Sequence, residues 1–473
     1  VTVWRAQVES VPMTSSLAGQ DVLVLGLGES GLAAARLAHL HGARVTVLDS
    51  GRSPVVQERA AALRQAGVGV VLEGSGRAGG PAPDLAVISP GIPYTSALGE
   101  LATRLTCPLI SELELGYRLC ACPILAVTGT NGKTTTVELL THCLTKAGLR
   151  VQAAGNIGVP LCEAALGSQA LDLMVVEVSS FQLEKADRFA PLAAAITNIT
   201  PDHLDRHGDM ATYVDTKARL LRHLADPADA ILRSDLAADP RLRAALTGEP
   251  TTFSSSDDGV SAWYATGAGD ICWRPVSGGP ARVILPAARI PLPGRHNLEN
   301  ILTVLALAQR AGIDPAVLAP QVASFALGPH RLELVATHGG IRFINDSKAT
   351  NPDALVRALE AVAAEAGRPS VLLLAGGLDK NVSFAGLEPV IARYVRGVFL
   401  VGTSRQRLAK LWGDVVSCGV YESLDDAFVA AVAKAIPGDV VLLSPGCASQ
   451  DMFTNYGERG RAFRSMVQRR FGE

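Results

Sequence analysis

The apolar run ILAV (124–127) breaks into TGTNGKTTT (128–136), and a helical pattern then continues through Lys146. A strand that enters a glycine loop and opens a helix restricts the fold more than anything else in this sequence. Glycines let successive backbone N–H groups turn toward one anion, and the helix N-terminus adds its positive end. Gly129, Thr130, Asn131, Gly132, Lys133, Thr134 and Thr135 therefore form a candidate phosphate cradle. Lys133 is placed to reach the β and γ phosphates of a nucleotide as a point charge, and the Thr134 hydroxyl to bind Mg²⁺. The strict Walker pattern has a glycine where this chain has Val127, so the loop departs from the generic form while keeping its strand, loop and helix.

A cradle of this kind sits at the carboxyl edge of a parallel sheet, and the neighbouring segments read that way. LMVVEVS (173–179) and AAAITNI (193–199) are apolar runs that end in polar residues. Glu177 lies near the end of the first run, where a carboxylate is costly to desolvate unless paired or bound to a cation; metal ligation is the favoured reading. Asn198, Asp202 and His203 follow the second run in NITPDHLDRHG. Adjacent strand ends would bring Glu177 and His203 toward the crevice that holds Lys133. Lys217, on the helical pattern TYVDTKARLL, reads by itself as a solvated surface lysine.

Two further α/β regions flank this one. The first has DVLVL (21–25), then Gly26, Gly28 and Gly31, a helix over 32–40, and RVTVLD (44–49), which closes a βαβ unit. Gly26-x-Gly28-x-x-Gly31 with Asp49 ending the next strand matches a dinucleotide fingerprint, without saying which nucleotide. DLAVI (84–88) stops at Ser89-Pro90-Gly91. The last region has IRFINDS (341–347), VLLLAGG (371–377), GVFLVG (397–402) and DVVLLSPG (439–446), separated by Ala-rich helical patterns. The expectation is three α/β domains, 1–118, 119–327 and 328–473, with a small antiparallel excursion over 254–289. A length of 473 residues accommodates them.

Hydrophobic residues at 48%, charged residues at 19% and a net charge of −2 exclude a disordered chain and a generic basic nucleic-acid surface. Eight cysteines without a CxxC pair imply neither a zinc site nor a disulfide framework. Cys120 and Cys122, one residue apart, are too close to bridge easily and read as buried reduced thiols. With no apolar run of about 18 residues and no leader pattern, the expectation is a cytoplasmic protein without an integral membrane segment. Residues 1–12 read as an upstream extension with no structural role.

The motifs taken together resemble the Mur ligase family in its D-glutamate-adding type. The resemblance rests on TGTNGKTTT, GNIG (155–158), EVSSFQLE (177–184), TPDHLDRHG (200–208), GRHNLEN (294–300), PHRLE (329–333), NDSKATNPDA (345–354), GGLDK (376–380) and LLSPGCASQDMF (442–453). It implies a Rossmann-like first domain for the UDP part of the substrate, a central P-loop-type ATPase domain with a mostly parallel sheet, and a Rossmann-like last domain that closes and admits the amino acid. Gly28, Ser30, Gly31, Asp49, Ser89, Gly91, Asn156 and His203 would contact the UDP substrate. Asn297, Asn300, Arg331 and Asp346 would join the loop in binding ATP. Thr134, Glu177, His203 and Lys217, the last as a CO₂-derived carbamate, would serve two Mg²⁺ sites. Lys348, Thr350, Ser449 and Tyr456 would form the D-glutamate pocket, Tyr456 standing where many relatives carry Phe.

The implied activity is ATP-dependent ligation of D-glutamate to UDP-MurNAc-L-Ala in cytoplasmic peptidoglycan precursor synthesis. Lys133, Glu177, His203, Lys217 and Lys348 would be catalytic, and a monomer is expected. A sibling ligase is the alternative: a diamino-acid ligase would show a DNPR-like motif, and folylpolyglutamate synthetase lacks the first nucleotide-type domain. A nicotinamide dehydrogenase would leave TGTNGKTTT unexplained, and a nucleotide switch would bind ATP without D-glutamate-dependent phosphate release.

Overall fold

A computed structural model describes residues 16–72, 82–275, 278–292, 294–363, 368–379 and 383–472. The expected extension at 1–12 and Lys380 of the GGLDK run lie outside the described residues. Three sheets form among those described.

The first sheet has the order β3-β2-β1-β4-β5, all parallel, from β1 (Asp21–Leu25), β2 (Arg44–Asp49), β3 (Gly69–Leu72), β4 (Leu85–Ile88) and β5 (Leu109–Ser111). Its central strands are continuous apolar runs because helices cover both faces of a parallel sheet. At Gly31 the covering helix comes so close to β1 that an added Cβ would lie 1.9 Å from the Gly26 carbonyl oxygen.

The second sheet carries the phosphate loop. Its order is β14-β13-β12-β11-β10-β9-β6-β8-β7. The strands are β6 (Ile124–Thr128), β7 (Val151–Gly155), β8 (Leu173–Glu177), β9 (Ala193–Ile196), β10 (Ala230–Arg233), β11 (Thr251–Ser254), β12 (Trp263–Ala265), β13 (Ile271–Trp273) and β14 (Arg282–Leu285). β7 through β12 pair in parallel, and β12, β13 and β14 form the expected antiparallel excursion. The third sheet has the order β15-β16-β20-β17-β18-β19, from β15 (Glu333–His338), β16 (Ile341–Asn345), β17 (Val371–Gly376), β18 (Val395–Val401), β19 (Cys418–Val420) and β20 (Val440–Leu443). It is parallel except for the edge hairpin β15–β16.

The chain packs as two compact units. One runs to Ile199 and includes Ala211–Arg289 and Glu299–Phe325; the other comprises Thr200–Met210, Ile290–Leu298 and the chain from Ala326 onward. The first two sheets share a unit because one apolar cluster runs from Val24 and Leu37 through Leu115 and Leu161 to Val176 and Ile196.

Within that junction the helix Glu112–Leu119 packs on the short helix Leu161–Ala165. There Glu112 is fully buried, one oxygen accepting the Cys162 N–H at 2.6 Å and the other having no hydrogen-bond partner. Burial pushes its carboxyl up to about 7. As pH falls, the folded carboxyl takes up its proton before the unfolded one does. This contribution to stability is therefore present in full below the unfolded value of about 4.3 and is lost as pH rises through about 7. Glu112→Gln is expected to gain about 1–3 kcal/mol relative to wild type between pH 5 and pH 8. Urea unfolding at the two pH values measures it, and an unchanged difference would refute the assignment.

Candidate active site

The phosphate loop is held from within. β6 ends at buried Thr128, and the backbone turns through Gly129 (φ +150°) and Gly132 (φ +83°) into the helix Lys133–Lys146. Both glycines are required for space as well as conformation. A Cβ on Gly129 would lie 2.0 Å from Thr197 Oγ1, and one on Gly132 would lie 2.5 Å from Asn300 Oδ1.

Asn131 is gripped by the residues that follow β9. Its N–H donates to Asn198 Oδ1 at 2.9 Å, and its carbonyl accepts from Asn198 Nδ2 at 2.9 Å and Thr197 Oγ1 at 2.6 Å. The Thr130 N–H donates to the Asn198 carbonyl at 2.9 Å, and the Thr130 hydroxyl meets the Tyr213 hydroxyl at 3.2 Å. Thr197 and Tyr213 were not legible as loop residues in the sequence. The polar Thr-Asn pair ending an apolar strand was the available signal.

Two lysines converge on one carbonyl. Lys133 Nζ donates to the Gly129 and Thr130 carbonyls, each at 2.8 Å. Lys217, read from sequence as a surface residue, is buried, and its Nζ donates to the Gly129 carbonyl at 3.0 Å and to Thr128 Oγ1 at 3.3 Å. The ammonium also stands 4.7 Å from the centre of the Tyr213 ring.

Glu177 ends β8, directly beside β6 in the register Val127↔Glu177. It is buried, and Asn156 Nδ2 donates to its Oε1 at 2.8 Å. Oε2 is buried with no hydrogen-bond partner. The turn after β7 sets this contact: Gly155 has φ +103°, and a Cβ there would meet the Glu177 carbonyl oxygen at 2.2 Å. A buried carboxylate oxygen left open on one side suits a cation, since hard divalent ions take oxygen ligands of this kind. Among the described residues no group of three or more His, Cys, Asp or Glu side chains is placed to hold a metal ion by itself.

In the first sheet, Gly28 caps the helix Glu29–Leu40. Asp49 accepts the Leu27 N–H on one oxygen and the Gly51 N–H on the other at 2.6 Å, so it braces the glycine turn. Ser89 Oγ is buried without a partner. Ser30 is half-buried and Gly91 exposed.

The remaining expected residues fall in the other unit, except Asn300, which borders the phosphate loop, its Oδ1 accepting from Thr136 Oγ1 at 3.3 Å. His203 has φ +55° and donates its N–H to Asp202 Oδ1 at 2.9 Å. Asp202 Oδ2 in turn accepts from Asn351 Nδ2 at 3.3 Å. Asn297 is buried. Asp346 accepts from the Ser444 hydroxyl at 2.9 Å and the Leu332 N–H at 3.2 Å, and burial pushes its carboxyl up to about 7. Arg331 lies close enough to oppose that rise by its charge. Lys348 Nζ stands 5.3 Å from the Tyr456 ring centre, and its N–H donates to the His330 carbonyl at 3.1 Å. Ser449 Oγ is buried without a partner, and Thr350 is half-buried.

The Mur ligase middle domain matches residues 127–308, and the Mur ligase glutamate ligase domain matches residues 330–447. The chain is 39% identical to a UDP-N-acetylmuramoylalanine–D-glutamate ligase of Acidobacterium capsulatum, over 95% of this chain and 96% of the relative. It is 40% identical to the enzyme of the same name from Frankia casuarinae, over 97% and 96%. The chain belongs to the Mur ligase family, in its D-glutamate-adding branch. Among solved structures, the UDP-N-acetylmuramate-alanine ligase of Thermotoga maritima shares the fold of this ligase at a TM-score of 0.58 and 19% identity, covering 95% of this chain and 100% of that one. A pseudomurein peptide ligase type C from Methanothermus fervidus does so at 0.57 and 17%, with the same coverage.

Removing the Asn198 side chain leaves the Asn131 N–H without its acceptor while Thr130 keeps its own. Asn198→Ala is expected to speed amide exchange at Asn131 by about 10- to 100-fold, for the roughly 1–3 kcal/mol lost with a buried partner. Exchange followed by NMR with no change at Asn131 would remove the clamp.

Proposed function

We propose that this chain joins D-glutamate to UDP-MurNAc-L-Ala with conversion of ATP to ADP and phosphate, in cytoplasmic peptidoglycan precursor synthesis. The observation that carries the reading is the phosphate loop, preformed in a chain that matches D-glutamate-adding ligases at 39% identity over nearly its whole length.

A carboxylate is a poor acyl donor because its leaving group would be oxide. The L-alanyl carboxylate first attacks the γ-phosphorus, giving an acyl phosphate whose departing group is a stable anion. The D-glutamate amine then attacks the carbonyl, and the tetrahedral intermediate collapses to an amide with release of phosphate. The loop 129–132 and the N-terminus of the helix Lys133–Lys146 would hold the phosphates. Lys133 exchanges its contacts with the Gly129 and Thr130 carbonyls for the β and γ phosphates, and so offsets charge on the transferring group.

Glu177 would hold Mg²⁺ through its open Oε2, with Thr134, His203 and a carbamylated Lys217 as the other ligands of two sites. Bound there, Mg²⁺ supplies charge neutralisation on the phosphates. The setting of Lys217 supports its modification: carbamylation removes a buried ammonium that shares a carbonyl with the Lys133 ammonium, and puts anionic oxygens in its place.

In the same reading, the first sheet is a Rossmann-like domain over 1–118 whose Gly28, Ser30, Gly31, Asp49, Ser89 and Gly91 bind the UDP part, with Asn156 and His203. The central domain is 119–327 and the last is 328–473. Asn297, Asn300, Arg331 and Asp346 serve ATP. Lys348, Thr350, Ser449 and Tyr456 serve D-glutamate, with the Lys348 ammonium facing its carboxylates. The protein acts as a monomer.

Phosphate release from ATP, measured with UDP-MurNAc-L-Ala across a panel of D- and L-amino acids, is expected with D-glutamate alone; release with a diamino acid instead would overturn the substrate assignment. Lys133→Ala is expected to lose at least about 100-fold in kcat with the fold retained by circular dichroism, because it removes a charge that acts on the transferring group. Lys217→Ala is expected to be inactive and to recover activity with a short carboxylic acid. Full activity without the acid would reject the carbamate role.

A further inference from the structure

The link between the first and second sheets contains two thiols in contact. Cys120 Sγ and Cys122 Sγ are 3.7 Å apart, and both side chains are buried. Spacing alone argued against a bridge, but the backbone overrides that. Cys120 leaves the preceding helix in extended conformation (φ −76°, ψ 132°), and the sulfur contact puts both side chains on one side of the link. Two residues of extended chain span about 6.6 Å, inside the Cα separation that a disulfide accepts. The link is anchored, since the Ala121 N–H donates to Ser168 Oγ at 2.9 Å and that hydroxyl donates to the Ala165 carbonyl at 2.7 Å. Ala121 itself is exposed, so the pair lies just beneath the surface.

We propose that Cys120 and Cys122 form an oxidation site that takes a small peroxide and closes to an intramolecular disulfide. Cys120 attacks the peroxide as thiolate, breaking the O–O bond; hydrogen peroxide leaves as hydroxide and the sulfur becomes a sulfenic acid. The Cys122 sulfur then attacks the Cys120 sulfur, its proton leaves with the hydroxyl as water, and the S–S bond forms. Two thiols and one peroxide give one disulfide and two waters. Selectivity among the eight thiols follows from their surroundings. The neighbouring Cys122 thiol pulls Cys120 down from the ordinary thiol value and is itself pushed up by that contact and by burial, whereas burial pushes Cys107, Cys143, Cys162, Cys272, Cys418 and Cys447 up. A bridge across one intervening residue closes a small, strained ring, and strained disulfides reduce easily, so the modification is reversible.

Trypsin cleavage after Arg118 and Lys133 releases LCACPILAVTGTNGK, in which these are the sole cysteines. The full chain is treated with a small excess of hydrogen peroxide, denatured, alkylated and digested. The expected product is this peptide lighter by two hydrogens and without alkyl groups, with double alkylation restored by dithiothreitol. In Cys122→Ser the sulfenic acid has no partner, so dimedone labelling of Cys120 is expected to rise at least tenfold over wild type. A doubly alkylated peptide after oxidation, a sulfinic acid at Cys120 in place of the bridge, or equal dimedone labelling in the two proteins would overturn the proposal.

Discussion

A tight glycine loop cannot pair its own backbone groups as a strand or helix does, so its N–H and carbonyl groups must find partners elsewhere, and the site is organised around that requirement. The Gly129 carbonyl accepts from Lys133 and Lys217, and the Asn131 carbonyl from Thr197 and Asn198. These partners come from the residues that follow β9, from the helix that follows β6 and from the helix Met210–Ala218. A parallel sheet with β6 between β8 and β9 is the arrangement that delivers them, because it gathers carboxyl ends of neighbouring strands on one edge.

The buried carboxylates divide by how they are satisfied. Asp439 is paired with Arg368 and Arg396 and accepts the Ile436 N–H, which makes it structural. Asp346 accepts two hydrogen bonds, yet burial still holds its carboxyl high. Glu177 keeps one oxygen open at the edge of the sheet that carries the phosphate loop. An open oxygen in that place is a cost to the isolated protein, and it is consistent with a residue retained for a cation.

Much of this was legible before folding was considered. The strands at 21–25, 124–128, 173–177 and 371–376 announce themselves as apolar runs ending in glycine or polar residues. Short or polar strands such as β5, β7 and β19 do not, because their pairing depends on neighbours remote in sequence. Lys217 shows the same limit. Its helix carries little periodic signal, so burial could not be read from it, and only packing against the loop puts the ammonium on the Gly129 carbonyl. Asp49 shows the reverse: its place after β2 was legible, but not that both of its oxygens accept backbone N–H groups of the turn region.

From residue order alone came the phosphate loop, the glycine turn of the first sheet, the α/β class and the family, because these rest on local backbone chemistry and on the spacing of short motifs. Long-range packing settled which side chains complete the loop, that one apolar cluster joins the first two sheets into a single unit, and that Cys120 and Cys122 face each other. Those outcomes depend on which strand ends are brought together and on which side an extended link turns its side chains, and no spacing along the chain encodes either.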